Sequence, residues 1–135
     1  MRLLLLFLTC LAMPAAQAVA AGAGVEKGEA EHPEARPFDR SAIASADVDA
    51  ALDRALAADR RVIVVMGANW CHDSRGLSGW FAKPRFADML EAKYEIVYVD
   101  VGYKDRNLDI AKRFGVRSIR GTPTILVLSP RGALL

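Results

Sequence analysis

Apolar residues in this chain fall into two kinds of segment, short β-branched runs and longer stretches with helical spacing. Val48, Ala51, Leu52, Ala55 and Leu56 recur at i, i+3, i+4, i+7 and i+8, while Asp49, Asp53 and Arg54 lie off that stripe. The spacing predicts an amphipathic helix with Ser45 or Asp47 as N-cap. Val62-Ile63-Val64-Val65-Met66 follows and is apolar on both faces, the pattern of a central parallel strand covered on either side. A helix is expected from about Cys71 to Phe81, and Pro84 can open a second, short one through Phe86, Met89 and Leu90. Ile96-Val97-Tyr98-Val99 reads as a second buried strand, and strands joined through helices in this way make a right-handed βαβ crossover. A further helix takes Asn107 as N-cap, turns Leu108, Ala111 and Phe114 inward, carries Lys112 and Arg113 at its negative end and stops at Gly115. Thr124 to Leu128 is the third strand. Ser129-Pro130-Arg131-Gly132 then has Pro and Gly where a type I turn takes them, and Ala133-Leu134-Leu135 would start the return strand of a hairpin.

The first 40 residues follow neither period. Arg2, the apolar run Leu3 to Leu8, Leu11-Ala12-Met13, the breaker Pro14 and then Ala16-Gln17-Ala18 describe a secretory signal peptide over residues 1–18, cleaved after Ala18. The run is shorter than the roughly 20 residues that span a bilayer. An uncleaved anchor and lipid attachment at Cys10 are the alternatives, and Thr9 is a poor neighbour for lipidation. Residues 19–40 shift to Ala, Gly, Glu and Pro and read as a flexible tether in which His32 is a solvated side chain. The folded domain is then expected over 41–135.

Composition narrows the partners. Eighteen Lys and Arg against 16 Asp and Glu give a net charge of +2, and loss of Arg2 with the signal leaves nothing that argues for nucleic acid or an anionic membrane. The mature chain is expected to be a periplasmic or secreted monomer. Of the two cysteines, Cys10 leaves with the signal, so Cys71 cannot form an internal disulfide and is either an inert buried residue or a free thiol with a use.

Cys71 lies in Gly67-Ala68-Asn69-Trp70-Cys71-His72-Asp73-Ser74, where an apolar strand gives way to a helix. A thiol at a helix N-terminus is placed where the thiolate is favoured. His72, when protonated, would favour it further, whereas Asp73 opposes it. Trp70 offers an apolar surface beside the thiol, or else fills the core. Trp80 and Phe81 read as packing residues, and Arg75 could lie near the sulfur but reads more readily as an exposed helix arginine. A zinc site built on Cys71 and His72 is improbable, because adjacent positions on a helix start diverge and only one other histidine exists.

The element order together with Trp70-Cys71-His72 and Gly121-Thr122-Pro123 resembles the thioredoxin superfamily from about residue 45 to the end. The resemblance implies an α/β thioredoxin-like fold of three layers around a central mixed sheet, a cis-proline loop at Pro123, and a backbone at Thr122 that pairs with an extended substrate segment. Three departures accompany it. Ser74 stands where the family's second cysteine would be; Val64-Val65-Met66 lacks the buried acid many thioredoxins carry; and the family's final strand and C-terminal helix are not reached at Leu135.

Disulfide exchange needs thiolate attack and then a second thiol that releases the product. Cys71 can perform the first step, and the Ser74 hydroxyl can donate to the sulfur but cannot perform the second. Release would come from an external thiol such as glutathione or from a cysteine on the substrate, and no resident cofactor or metal is implied. An iron–sulfur cluster shared with glutathione, as in some monothiol glutaredoxins, is disfavoured because those carry Gly-Phe between Cys and Ser. The expected function is exchange through a single nucleophile, with cysteine-containing exported proteins or small thiols as partners. The alternative is a non-catalytic binding or scaffold module with a vestigial site.

Overall fold

Strand β1, Arg61–Gly67, is the element around which the others are arranged. Five successive residues, Val62 to Met66, are buried, as a strand covered on both faces requires. The computed structural model describes residues 32–135, so the expected signal peptide and the first part of the tether lie outside the described residues. Around β1 stand α1 (Ala44–Ala58), α2 (His72–Phe81), α3 (Pro84–Glu91), β2 (Tyr94–Asp100), α4 (Leu108–Arg113) and β3 (Thr124–Leu128).

The sheet runs β2-β1-β3. β1 pairs with β2 in parallel, from Arg61 opposite Tyr94 to Gly67 opposite Asp100, and with β3 antiparallel, from Val62 opposite Leu128 to Met66 opposite Thr124. Because strand side chains alternate between faces, β1 divides its residues between two cores. Val62, Val64 and Met66 pack with Val48, Ala51 and Ala55 of α1 and Ile110 and Ala111 of α4. Ile63 and Val65 face Phe38 and Leu90, with Leu77, Phe81 and Tyr98 beside them. The result is the three-layer α/β arrangement with a central mixed sheet. After β3, Gly132 N–H donates to the Ser129 carbonyl at 2.9 Å, Gly132 has φ +80°, and Leu134 bridges back to Leu128, so the turn and the start of a return strand form.

Two expectations need correction. Helix α1 begins earlier than its polar residues suggested: Ile43 is the N-cap and no side chain caps the helix. Asp47 lies instead in the first turn, where its charge complements the helix dipole.

The second correction concerns residues 32–40, which form a strap across α2 rather than a tether. His32 is exposed, but Phe38 is 1% exposed and meets Tyr98 edge to face, with ring centroids 5.5 Å apart. Asn69 clamps the backbone at that point, its Oδ1 accepting from Phe38 N–H at 3.2 Å and its Nδ2 donating to the Phe38 carbonyl at 2.9 Å. Ala35 N–H donates to the Arg75 carbonyl at 3.1 Å. Gly79 lets the strap approach, since a Cβ there would lie 2.2 Å from the Pro33 carbonyl oxygen. One aromatic and several long-range polar bonds hold the segment, so no apolar period marks it in sequence.

Candidate functional site

At the end of β1 the chain turns through Ala68, Asn69 and Trp70 and delivers Cys71 to the N-cap of α2 in extended conformation. Cys71 N–H closes the turn on the Ala68 carbonyl at 3.0 Å, and its own carbonyl accepts from Arg75 N–H at 3.1 Å, starting the helix. Gly67 is required at the strand end. A Cβ there would lie 2.6 Å from the Phe38 ring and 2.7 Å from Ser74 Oγ.

The loop before β3 supplies the opposite wall. Cys71 Sγ lies 3.3 Å from the Thr122 carbonyl oxygen, to which the thiol donates, and the Thr122–Pro123 peptide is cis. Thr122 and Pro123 are half-buried, and Thr124 Oγ1 donates to the Gly121 carbonyl at 2.8 Å, holding the loop to the strand start.

Burial pushes the Cys71 thiol pKa up. Donation to the thiolate by the side chains of Ser74 and Thr122 and by the backbone N–H groups of Ser74 and Asp73 outweighs it, leaving the thiol below its ordinary value. The two N–H groups belong to the first turn of α2 and are among the donors a helix leaves unpaired. Ser74 Oγ is fully buried, and among the described residues it is the one buried side-chain polar atom without a partner of hydrogen-bond geometry. An unpaired hydroxyl next to the sulfur is a donor held ready for the anion. Asp73 thus acts on the sulfur through its backbone, and its carboxylate is exposed.

His72 is 73% exposed, and its Nδ1 lies 2.8 Å from Glu34 Oε1 on the strap. It is not among the groups that shift the thiol. Arg75, expected to be a solvated helix arginine, has a side chain only 15% exposed. It donates from Nε to Glu34 Oε2 at 2.9 Å and from Nη1 to the carbonyls of Asn69 and Trp70 at 3.2 and 3.0 Å. Those two carbonyls end the turn before Cys71, so Arg75 ties the strap to the loop that presents the thiol. Its hydrogen bond to Glu34 is the main reason its pKa is raised, and attraction to Cys71 adds to it.

Trp70 is 48% exposed and therefore not a core aromatic. Its Nε1 donates to the Gly102 carbonyl at 2.8 Å, and its ring stacks on Tyr103 with centroids 4.9 Å apart and planes within 13°. Gly102 is held in turn by buried Asp100, whose Oδ1 accepts Gly102 N–H at 3.0 Å. Cys71, Ser74, Trp70, Thr122 and Pro123 are thus gathered at one end of the sheet, whereas His72 and Asp73 are exposed and His72 meets Glu34 of the strap. Trp80 departs from its expected packing role: it is 47% exposed and meets Phe86 edge to face, while Phe81 does pack in the second core.

Sequence reasoning assigned no role to Glu34, Phe38, Asn69, Asp100 or Tyr103, and it preferred an exposed helix arginine over a place near the sulfur for Arg75. The one available signal was Phe38, the sole large apolar residue between Val25 and Ile43. No cluster of three or more His, Cys, Asp or Glu side chains able to hold a metal occurs among the described residues.

A mixed sheet between two helical layers, with a cysteine at the start of the helix after the central strand and a Thr-Pro loop against its sulfur, defines a protein of thioredoxin fold. Residues 42–130 match the thioredoxin-like family, and the chain belongs to that family. Among solved structures it is similar to the disulphide isomerase of Xylella fastidiosa Temecula1, with 30% sequence identity, a TM-score of 0.71, and coverage of 75% of this chain and 77% of that one. The comparison with curated proteins gave no match.

Proposed function

We propose that this protein carries out thiol–disulfide exchange through Cys71 alone. The observation that carries the reading is the placement of the sulfur: at the N-cap of α2, 3.3 Å from the Thr122 carbonyl, with a lowered pKa and with buried Ser74 where a resolving thiol would stand. The Cys71 thiolate attacks a substrate disulfide, forming one S–S bond and expelling the other substrate sulfur as thiolate. An external thiolate, or a second cysteine of the substrate, then attacks the mixed disulfide and returns Cys71 as thiolate. Ser74 cannot make that second attack, so net oxidation or reduction by an internal dithiol is ruled out by chemistry. Isomerisation remains open to a single nucleophile, and the similar solved structure is titled a disulphide isomerase. Trp70 and the backbone at Thr122 flank the sulfur and suit an extended substrate segment. The apolar leader supports a periplasmic or secreted site of action, where cysteine-containing proteins and small thiols are the partners.

The test is to mix the purified chain with a disulfide-bonded protein, quench with acid, and identify adducts by mass spectrometry. A mixed disulfide at Cys71 that persists until a small thiol is added is expected. Ser74→Cys should shorten its life and confer insulin reduction in the presence of a reductant. Absence of any Cys71 adduct would favour the scaffold reading.

A further inference from the structure

We propose that the cleft beside Trp70 binds a carboxylate carried by the disulfide that Cys71 attacks, with Arg36 and Arg40 of the strap as its ligands. This rests on the exchange reading above. The cleft encloses about 280 Å³ between Arg36, Arg40, Trp70, Asp100 and Tyr103. That is just under the roughly 300–1,000 Å³ of ordinary ligand pockets, so it suits one arm of a substrate rather than a whole ligand.

Its charge is set by the two arginines. Asp100 is the one acid in the lining, but it is 4% exposed, and its Oδ1 is occupied by Gly102 N–H and by Arg106 Nη1 at 3.5 Å. Arg36 uses Nη1 on the Asn69 carbonyl at 3.0 Å and has no acidic partner among the described residues, which leaves its other N–H groups available. Arg40 makes no hydrogen bond or ion pair among the described residues. A planar guanidinium accepts a carboxylate through two parallel bonds, and the stacked rings of Trp70 and Tyr103 offer a flat wall for an apolar stem. Arg36 binds the carbonyl of Asn69 and Trp70 directly precedes Cys71, so the cleft borders the loop that presents the sulfur. The carboxylate can belong to a small disulfide or to an acidic side chain beside a protein cysteine.

Single-turnover rates of the full chain decide the matter. They are taken with glutathione disulfide, which is anionic, hydroxyethyl disulfide, which is neutral, and cystamine, which is cationic. Two short peptides whose cysteine is capped by 2-mercaptoethanol and flanked by Glu or by Gln form a second set. The paired substitution Arg36→Gln with Arg40→Gln should slow the anionic disulfide about tenfold, leave the neutral one within about twofold and speed cystamine. Arg40→Gln alone, which removes a side chain bonded to nothing in the fold, should move the rates in the same directions. Added salt should erase the preference. A preference within the small set assigns the carboxylate to a small thiol compound, one confined to the peptides assigns it to a protein segment, and either supports the proposal. Equal slowing of all disulfides, or no change in any, overturns it. Failure of Cys71 to react with every disulfide would instead refute the exchange reading on which it rests.

Discussion

Replacing Phe38 with alanine tests whether the strap is part of the folded core. The side chain is 1% exposed, and truncating a buried phenylalanine costs about 3–5 kcal/mol when the surroundings cannot collapse, with the lost transfer energy of about 1.5–3 kcal/mol as a floor when they can. Collapse is hindered here. The two bonds from Asn69 fix the strap backbone at this residue, and the ring it leaves behind, Tyr98, loses its edge-to-face partner. The upper range therefore applies, a large part of the 5–15 kcal/mol typical of a whole domain. Urea unfolding followed by tryptophan fluorescence reads it directly. With a slope of about 2 kcal/mol/M, the midpoint should fall by roughly 1.5–2.5 M, while Ile43→Ala, at a position 71% exposed, should change stability by less than about 0.5 kcal/mol. A midpoint for Phe38→Ala within error of the parent would show that the strap carries none of the core.

Acid should loosen the strap at its other end. Glu34 has its pKa lowered from 4.5, chiefly by the hydrogen bond from Arg75. Its contribution is thus fully present above pH 4.5 and is lost as pH falls through the lower folded value, which amide hydrogen exchange at Ala35 should register as faster opening and Glu34→Gln should make independent of pH in that range. Ser74→Ala removes a buried hydroxyl that has no partner in the thiol form. Thermal unfolding below the thiol pKa should show the variant equal to or up to about 1–3 kcal/mol more stable than the parent, and a loss there would mean the hydroxyl is paired. The Cys71 contribution has the opposite pH sense to ordinary denaturation by base: its folded pKa is lowered, so stabilisation relative to Cys71→Ala is fully present above the unfolded thiol pKa and lost as pH falls through the folded one. Ser74→Ala should narrow that window.

The strands and the helix that carries Cys71 were legible because their signals are local. Five consecutive apolar residues specify a strand buried on both faces, and Pro84, Asn107 and Gly115 mark helix boundaries through their own backbone preferences. The Cys71 and Thr122–Pro123 segments were readable one by one, and the fold brings them to 3.3 Å. The strap was not readable, since its bonds pair residues some 31 to 41 positions apart and only Phe38 contributes an apolar side chain. Arg75 failed for the same reason: its place in α2 fits a solvated arginine, and its acidic partner lies on a segment with no period of its own. Trp80 shows the reverse error, a large aromatic assigned inward although its position on the helix turns it toward solvent.

Whether Cys71 is an activated nucleophile is read from the rate of its alkylation by iodoacetamide as a function of pH. A single titration is expected, with a midpoint below the ordinary thiol value of about 8.5 that shifts upward in Ser74→Ala. A midpoint at or above about 8.5 in the parent chain would contradict it.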